Sequence, residues 1–168
     1  MARGKLISDE AVLDRVLDLL KTGEKSVTFA AVSAATGLAP PTLVQRYGSC
    51  PAMIAMALRS AWDRLDASAQ TASNMQTNGK GAQGLLKALS GPIDIPTVLT
   101  ASLPDETLAA RAKAWRHLVE KALAARLGDG AKAQESAAVL FATWQGRLLW
   151  DAAGGKGFRL GEALKRLT

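Results

Sequence analysis

The sequence predicts an all-α protein. Alanine and leucine dominate it and clusters of β-branched residues are few, a composition that favours helices. Apolar residues recur at i, i+3, i+4 and i+7, the spacing of one helical face. No stretch keeps the strict apolar–polar alternation of a half-buried strand. About nine helices are expected, with no internal repeat and no low-complexity tail.

Taken in order, the first helix follows a short arm that carries Arg3 and Lys5. Ser8 is its expected N-cap, and Asp9 and Glu10 sit where the helix dipole favours acids. Leu13, Val16, Leu17 and Leu20 form its buried stripe, and Gly23 closes it. Thr28 caps a second, short helix, "FAAVSAA", which stops at Gly37. A third short helix is expected over Pro41–Tyr47, because a residue that precedes proline avoids the α region, so Ala39 and Pro40 stay extended. Ser49 caps a long fourth helix, Pro51–Ala72, with Ile54, Leu58, Trp62 and Leu65 inward. "TASNMQTNGKGAQG" (71–84) is loop-like, with three glycines and two asparagines. Short helices follow at Ala82–Leu89 and Ile95–Ala101. Pro104 opens a long helix through Leu127 with Leu108, Trp115, Leu118, Val119 and Ala122 as its stripe. Another spans Ala131–Ala153, "GGKG" breaks it, and a last short helix covers Leu160–Leu167.

Composition narrows the function. The chain has 168 residues and is 48% hydrophobic, enough for a real core. Its net charge of +6 suits an anionic partner such as nucleic acid or an acidic membrane surface, and equally an ordinary basic surface. From Lys25 to Trp62 there is no acidic residue, while Lys25, Arg46 and Arg59 are present. Cys50 is the single cysteine, so neither an intrachain disulfide nor a cysteine-based metal site is expected, and a lone thiol fits a reducing cytoplasm. Acids within the apolar pattern of the first helix argue against a signal peptide, and no apolar run approaches a membrane span.

Two short helices about a glycine, with a longer helix directly after, form the helix-turn-helix pattern. It covers residues 28–47. Gly37 is where the chain reverses. Val32 and Ala35 are expected inward beside Leu38 and Leu43, which leaves Thr42, Gln45 and Arg46 on the polar face of the third helix. Such a face fits a major groove, where a glutamine amide matches adenine and a threonine meets phosphate or a thymine methyl. The paired prolines fall in the first turn, where amides lack internal partners, so they cost the helix no hydrogen bond. They do remove two backbone donors from a phosphate.

"VLDRVLDLL…G…TFAAVSAATGLAPPTLVQRYGSCPAMI" resembles the N-terminal domain of the tetracycline-repressor (TetR) family over residues 6–66. Thr28, Val32, Gly37, Leu38, Thr42, Leu43, Tyr47, Gly48 and Ser49 fall in the family's places. Four positions depart from it. Val44 replaces a tyrosine, Arg46 a histidine, Cys50 a phosphate-binding lysine and Ala39 an N-cap serine. The resemblance implies a DNA-binding head over residues 1–48 and a dimerisation and ligand-binding body over 49–168. The DNA-facing set is Arg3, Lys5, Thr28, Pro40, Pro41, Thr42, Gln45, Arg46 and Tyr47, with Arg46 meeting phosphate and Tyr47 chiefly packing inside.

In the body, Trp62, Trp115, Phe141, Trp144 and Trp150 either pack a core or line an apolar cavity, and the resemblance implies a cavity that holds a small apolar or aromatic inducer. Met56 and Met75 are further candidate walls, as is His117, the single histidine, which has no second histidine within one turn and so no expected metal. Ala138, Ala142 and Gly146 make a ridge of small side chains framed by Phe141, Gln145 and Leu149. In the family the last two long helices form a two-fold dimer interface, and Ala138, Ala142, Gln145, Gly146 and Leu149 are the candidates here. The expected function is a non-enzymatic, cofactor-free transcriptional regulator of the cytoplasm. It binds a near-palindromic DNA operator as a homodimer, represses, and is released by a ligand. The alternative is a protein of the same fold that has lost DNA binding and serves as a lipid- or partner-binding module.

Overall fold

A computed structural model describes residues 7–74 and 81–154. Arg3, Lys5, Met75 and the helix expected at 160–167 lie outside them. The described residues form eight α-helices and two single-turn 3₁₀ segments, with no strand.

Ser8 Oγ accepts from the Ala11 amide at 3.3 Å and starts α1, Asp9–Leu20. A 3₁₀ turn at Glu24–Ser26, which the periodicity does not foretell, leads to Thr28. There the Oγ1 accepts from the Ala31 amide at 3.1 Å and opens α2, Phe29–Thr36. α3 spans Pro40–Tyr47, so it begins one residue earlier than expected and both prolines are helical. Only Ala39 is held extended, at φ −64° and ψ 140°. Ser49 Oγ receives the Ala52 amide at 3.2 Å and α4 runs Cys50–Asn74.

α5 is Gly81–Leu89 and α6 is Ile95–Ser102, capped by Asp94. α7 is Glu106–Leu127. Its start is two residues later than Pro104, because the Asp105 carboxylate takes both the Thr107 and Leu108 amides, at 2.9 and 3.0 Å. α8 is Ala131–Trp150 and tightens into a 3₁₀ turn over Asp151–Ala153 rather than continuing as α-helix.

α4 is the strut of the molecule. It packs on α1 and α3 at one end and on α5, α6 and α7 along the rest, while α7 and α8 pair closely. Its buried stripe is Met53, Ile54, Ala57, Leu58, Ala61, Trp62, Leu65, Ala69 and Ala72. A single buried cluster runs from Val12 to Trp144, so the core continues across the expected boundary at 48/49. Arginines fasten the strut on both sides. Arg64 reaches Asp14 of α1 at 2.7 Å. Arg111 of α7 clamps Asp63 and Asp66 at 2.6 and 2.7 Å. Burial works against the Arg111 charge, but the two carboxylates outweigh it and hold its pKa above the usual arginine value. Arg126 donates to the Ala72 and Ser73 carbonyls at 2.9 and 3.2 Å, satisfying acceptors at the α4 C-terminus.

Candidate nucleic-acid interface

The α2–α3 corner turns on Gly37, which is left-handed at φ 74° and ψ 4° and donates its amide to Ser33 at 2.8 Å. A Cβ there would meet nothing within 4 Å, so the need for glycine is one of backbone conformation rather than space. The Thr36 hydroxyl braces the corner. It donates to the Val32 carbonyl at 2.7 Å and accepts from the Leu38 amide at 3.3 Å. Val32 and Leu43 are fully buried and Leu38 packs against them from the edge. Ala35 is exposed, contrary to expectation, because Val32 already fills the seam between the helices.

With Leu43 and Tyr47 inward, α3 turns Pro40, Pro41, Val44 and Gln45 to solvent and keeps Thr42 half-buried. Thr28 and Gln45 are both exposed. Thr28 keeps its O–H to donate outward. Val44 belongs to this face too, at 46% exposed, although its residue type gave no reason to place it there.

Arg46 is the main departure from the expected arrangement. Its side chain turns back to the start of α1, with Nη1 3.2 Å from Asp9 Oδ1 and 3.5 Å from the Ile7 carbonyl. Tyr47 Oη donates to the same Asp9 oxygen at 2.9 Å. Burial, then the neighbouring carboxylate, push the Tyr47 phenol up to about 12. Asp9 thus ties the last turn of α3 to the first turn of α1. The sequence offers no signal for this tie, since the partners are 37 and 38 residues apart.

The start of α3 has no amide to spare. Pro40 and Pro41 have none, and the Thr42 and Leu43 amides both go to the Ala39 carbonyl, at 2.9 and 3.3 Å. No side chain caps this end. A helix N-terminus ordinarily offers several amides to a phosphate. This one offers none, so any grip on DNA here comes from side chains.

No family model and no curated protein matches the sequence. Among solved structures, a crystal structure from Rhodococcus sp., provisionally named a TetR-family transcriptional regulator, superposes on 95% of this chain and 94% of its own. The TM-score is 0.58 and the sequences are 18% identical. The chain has a TetR-like fold. Likeness at that identity concerns the fold, and it covers head and body together.

In the body of this TetR-like fold, Trp62, Trp115, Phe141 and Trp144 form one buried aromatic cluster. Ring centroids lie 5.9 Å apart for Trp62–Trp115, Trp115–Phe141 and Phe141–Trp144, and 6.4 Å for Trp115–Trp144. The first three pairs are edge-to-face, an arrangement that contributes about 0.5–1.5 kcal/mol each beyond the buried area, and Trp115–Trp144 is tilted. Each indole N–H has a partner: Trp62 the Ser102 Oγ at 2.9 Å, Trp115 the Leu65 carbonyl at 3.1 Å and Trp144 the Ser90 Oγ at 3.3 Å. Met56 and His117 are not part of this cluster. Both are surface residues, because the faces of α4 and α7 that pack inward are the Trp62 and Trp115 faces. Trp150 is likewise 63% exposed.

An open groove of about 320 Å³ lies between α1, α4 and the α5–α6 link. Ile7, Ala11, Leu17, Ile93 and Val98 line it with Asp14, Arg64 and Asp94. On α8 the predicted ridge is at the surface. Val139 and Leu149 are 48% and 60% exposed, Ala142 is exposed, and Ala138, Gln145 and Gly146 are half-buried. Gln145 Nε2 is buried and has no hydrogen-bond partner. Among the described residues no cluster of His, Cys, Asp and Glu could hold a metal, and no helix is long and apolar enough to cross a membrane.

Proposed function

We propose that the protein is a DNA-binding transcriptional regulator that acts as a homodimer through the outer face of α8. The observation that carries the reading is the α2–Gly37–α3 corner with its outward Gln45 face, set in a fold that matches a TetR-family regulator over 95% of the chain. Supporting it, the segment 25–62, which contains α2, α3 and the first half of α4, has no carboxylate to repel phosphate. In a dimer the two α3 helices would enter successive major grooves about 34–36 Å apart and favour a near-palindromic operator. Repression is the natural outcome of occupying a promoter.

Regulation would run through α4. Trp62 stands on the same helix that packs against α1 and α3, so a small apolar ligand that parts the aromatic cluster displaces the strut of the head. It releases DNA only by binding the DNA-incompetent arrangement more tightly. The second reading, a partner-binding module without DNA affinity, is favoured by the scarcity of phosphate donors. α3 offers no amide, and Arg46 is spent on Asp9.

Selection from a pool of random duplexes at low salt, followed by a salt series, separates the two. A regulator enriches one sequence family, and its affinity falls linearly in log salt. Enrichment of no duplex sinks the regulator reading and leaves the partner module.

A further inference from the structure

We propose that Val44 reads a thymine methyl group in the major groove, at the base step beside the one that Gln45 addresses. The inference rests on the DNA-binding reading above and adds the base chemistry that the head selects. Of the α3 side chains, Leu43 and Tyr47 are buried, Thr42 is half-buried and Arg46 is held by Asp9. Pro40, Pro41, Val44 and Gln45 remain to enter a groove. Pro41, Val44 and Gln45 stand at i, i+3 and i+4 and so form one contiguous patch with a single polar group.

That patch constrains its partner. Apolar surface pressed on a base-edge donor or acceptor strips it of water and supplies no hydrogen bond in return, which is costly. The largest apolar group on the major-groove edge is the C5 methyl of thymine. The neighbouring Gln45 amide matches the adenine N6 and N7 pair in the same groove. The complement of the face is an A·T-rich step in each half-site, with a thymine methyl against Val44 and Pro41. Thr42, the residue whose type suggests a methyl contact, is half-buried and offers less surface than Val44.

The test uses the full chain and the best duplex from the random pool. Each thymine is replaced in turn by deoxyuridine, which removes the methyl and leaves base pairing intact. One position should weaken wild-type binding about fourfold, the worth of one buried methyl group. In Val44→Ala the difference between thymine and deoxyuridine at that position should shrink towards none, while the melting temperature stays close to wild type because Val44 is exposed. If a duplex is enriched but every deoxyuridine is neutral, the inference fails and the DNA-binding reading stands. The same holds if the sensitive thymine stays equally sensitive in Val44→Ala. If no duplex is enriched, both fall.

Discussion

Asp9 does two things at the foot of the head. It is an acid in the first turn of α1, and it holds both Arg46 and Tyr47 of α3. Arg46 must leave Asp9 to reach a phosphate, so Asp9→Asn should release one cation to DNA. The slope of log K against log salt should then steepen by about one, equally for all duplexes. An unchanged slope would show that Arg46 does not bind phosphate even when freed. Tyr47 is the chain's single tyrosine, so its phenolate absorbance reports that site alone. Its pKa in the fold, about 12, stands above the ordinary 10.0. The neutral phenol is the form the fold prefers, so the stability it adds is complete below pH 10 and is lost as pH rises through 12. Tyr47→Phe should flatten that part of the stability–pH curve, and an identical alkaline fall in both proteins would refute the assignment. Ser102, the one fully buried polar residue among those described, accepts the Trp62 N–H and donates to the Val98 carbonyl. Ser102→Ala strands the indole N–H, and denaturant unfolding should show a loss of about 1–3 kcal/mol. A neutral substitution would mean that the bond does not hold Trp62.

At the scale of elements, caps and turns were the most legible features. Ser8, Thr28 and Ser49 accept the amides that their sequence positions imply, and Gly37 turns where the pattern breaks. Local chemistry settles such positions, because the groups that satisfy one another are two or three residues apart. Where two local signals compete, the sequence is a weaker guide. Pro104 and Asp105 both suit a helix start, and the carboxylate that satisfies two amides prevails. At α3 the steric rule against a helical residue before proline yields to the hydrogen bonds that close on the Ala39 carbonyl. That end still lacks a side-chain cap, so Ala39→Ser should add about 0.5–1 kcal/mol and raise the melting temperature by a few degrees. No gain would show that the double proline leaves no geometry for a serine cap.

The whole molecule is organised around α4, whose two ends belong to the head and to the body. Its buried stripe is part of one cluster from Val12 to Trp144, so the core continues across residues 48 and 49. The outer face of α8 presents two large apolar side chains, Val139 and Leu149, to solvent. A second copy seated there would bury Val139 and Leu149. Leu149→Glu should give a monomer by sedimentation, with helical content intact and loss of preference for palindromic over half-site duplexes. A variant that remains dimeric would move the interface elsewhere.

The sequence by itself determined the eight described helices to within about three residues at each end, the caps Ser8, Thr28 and Ser49, the αL corner at Gly37 and the likeness of 6–66 to a TetR head, because each depends on neighbours within a few residues or on a period of 3.6. Tertiary structure alone decided which of the chemically suitable side chains are available. It turned Arg46 inward to Asp9, placed Val44 outside, left Met56 and His117 on the surface and brought Trp62, Trp115, Phe141 and Trp144 into one buried cluster. The physical reason is range. The Asp9 tie to Arg46 and Tyr47 joins residues 37 and 38 positions apart, which local pattern does not encode.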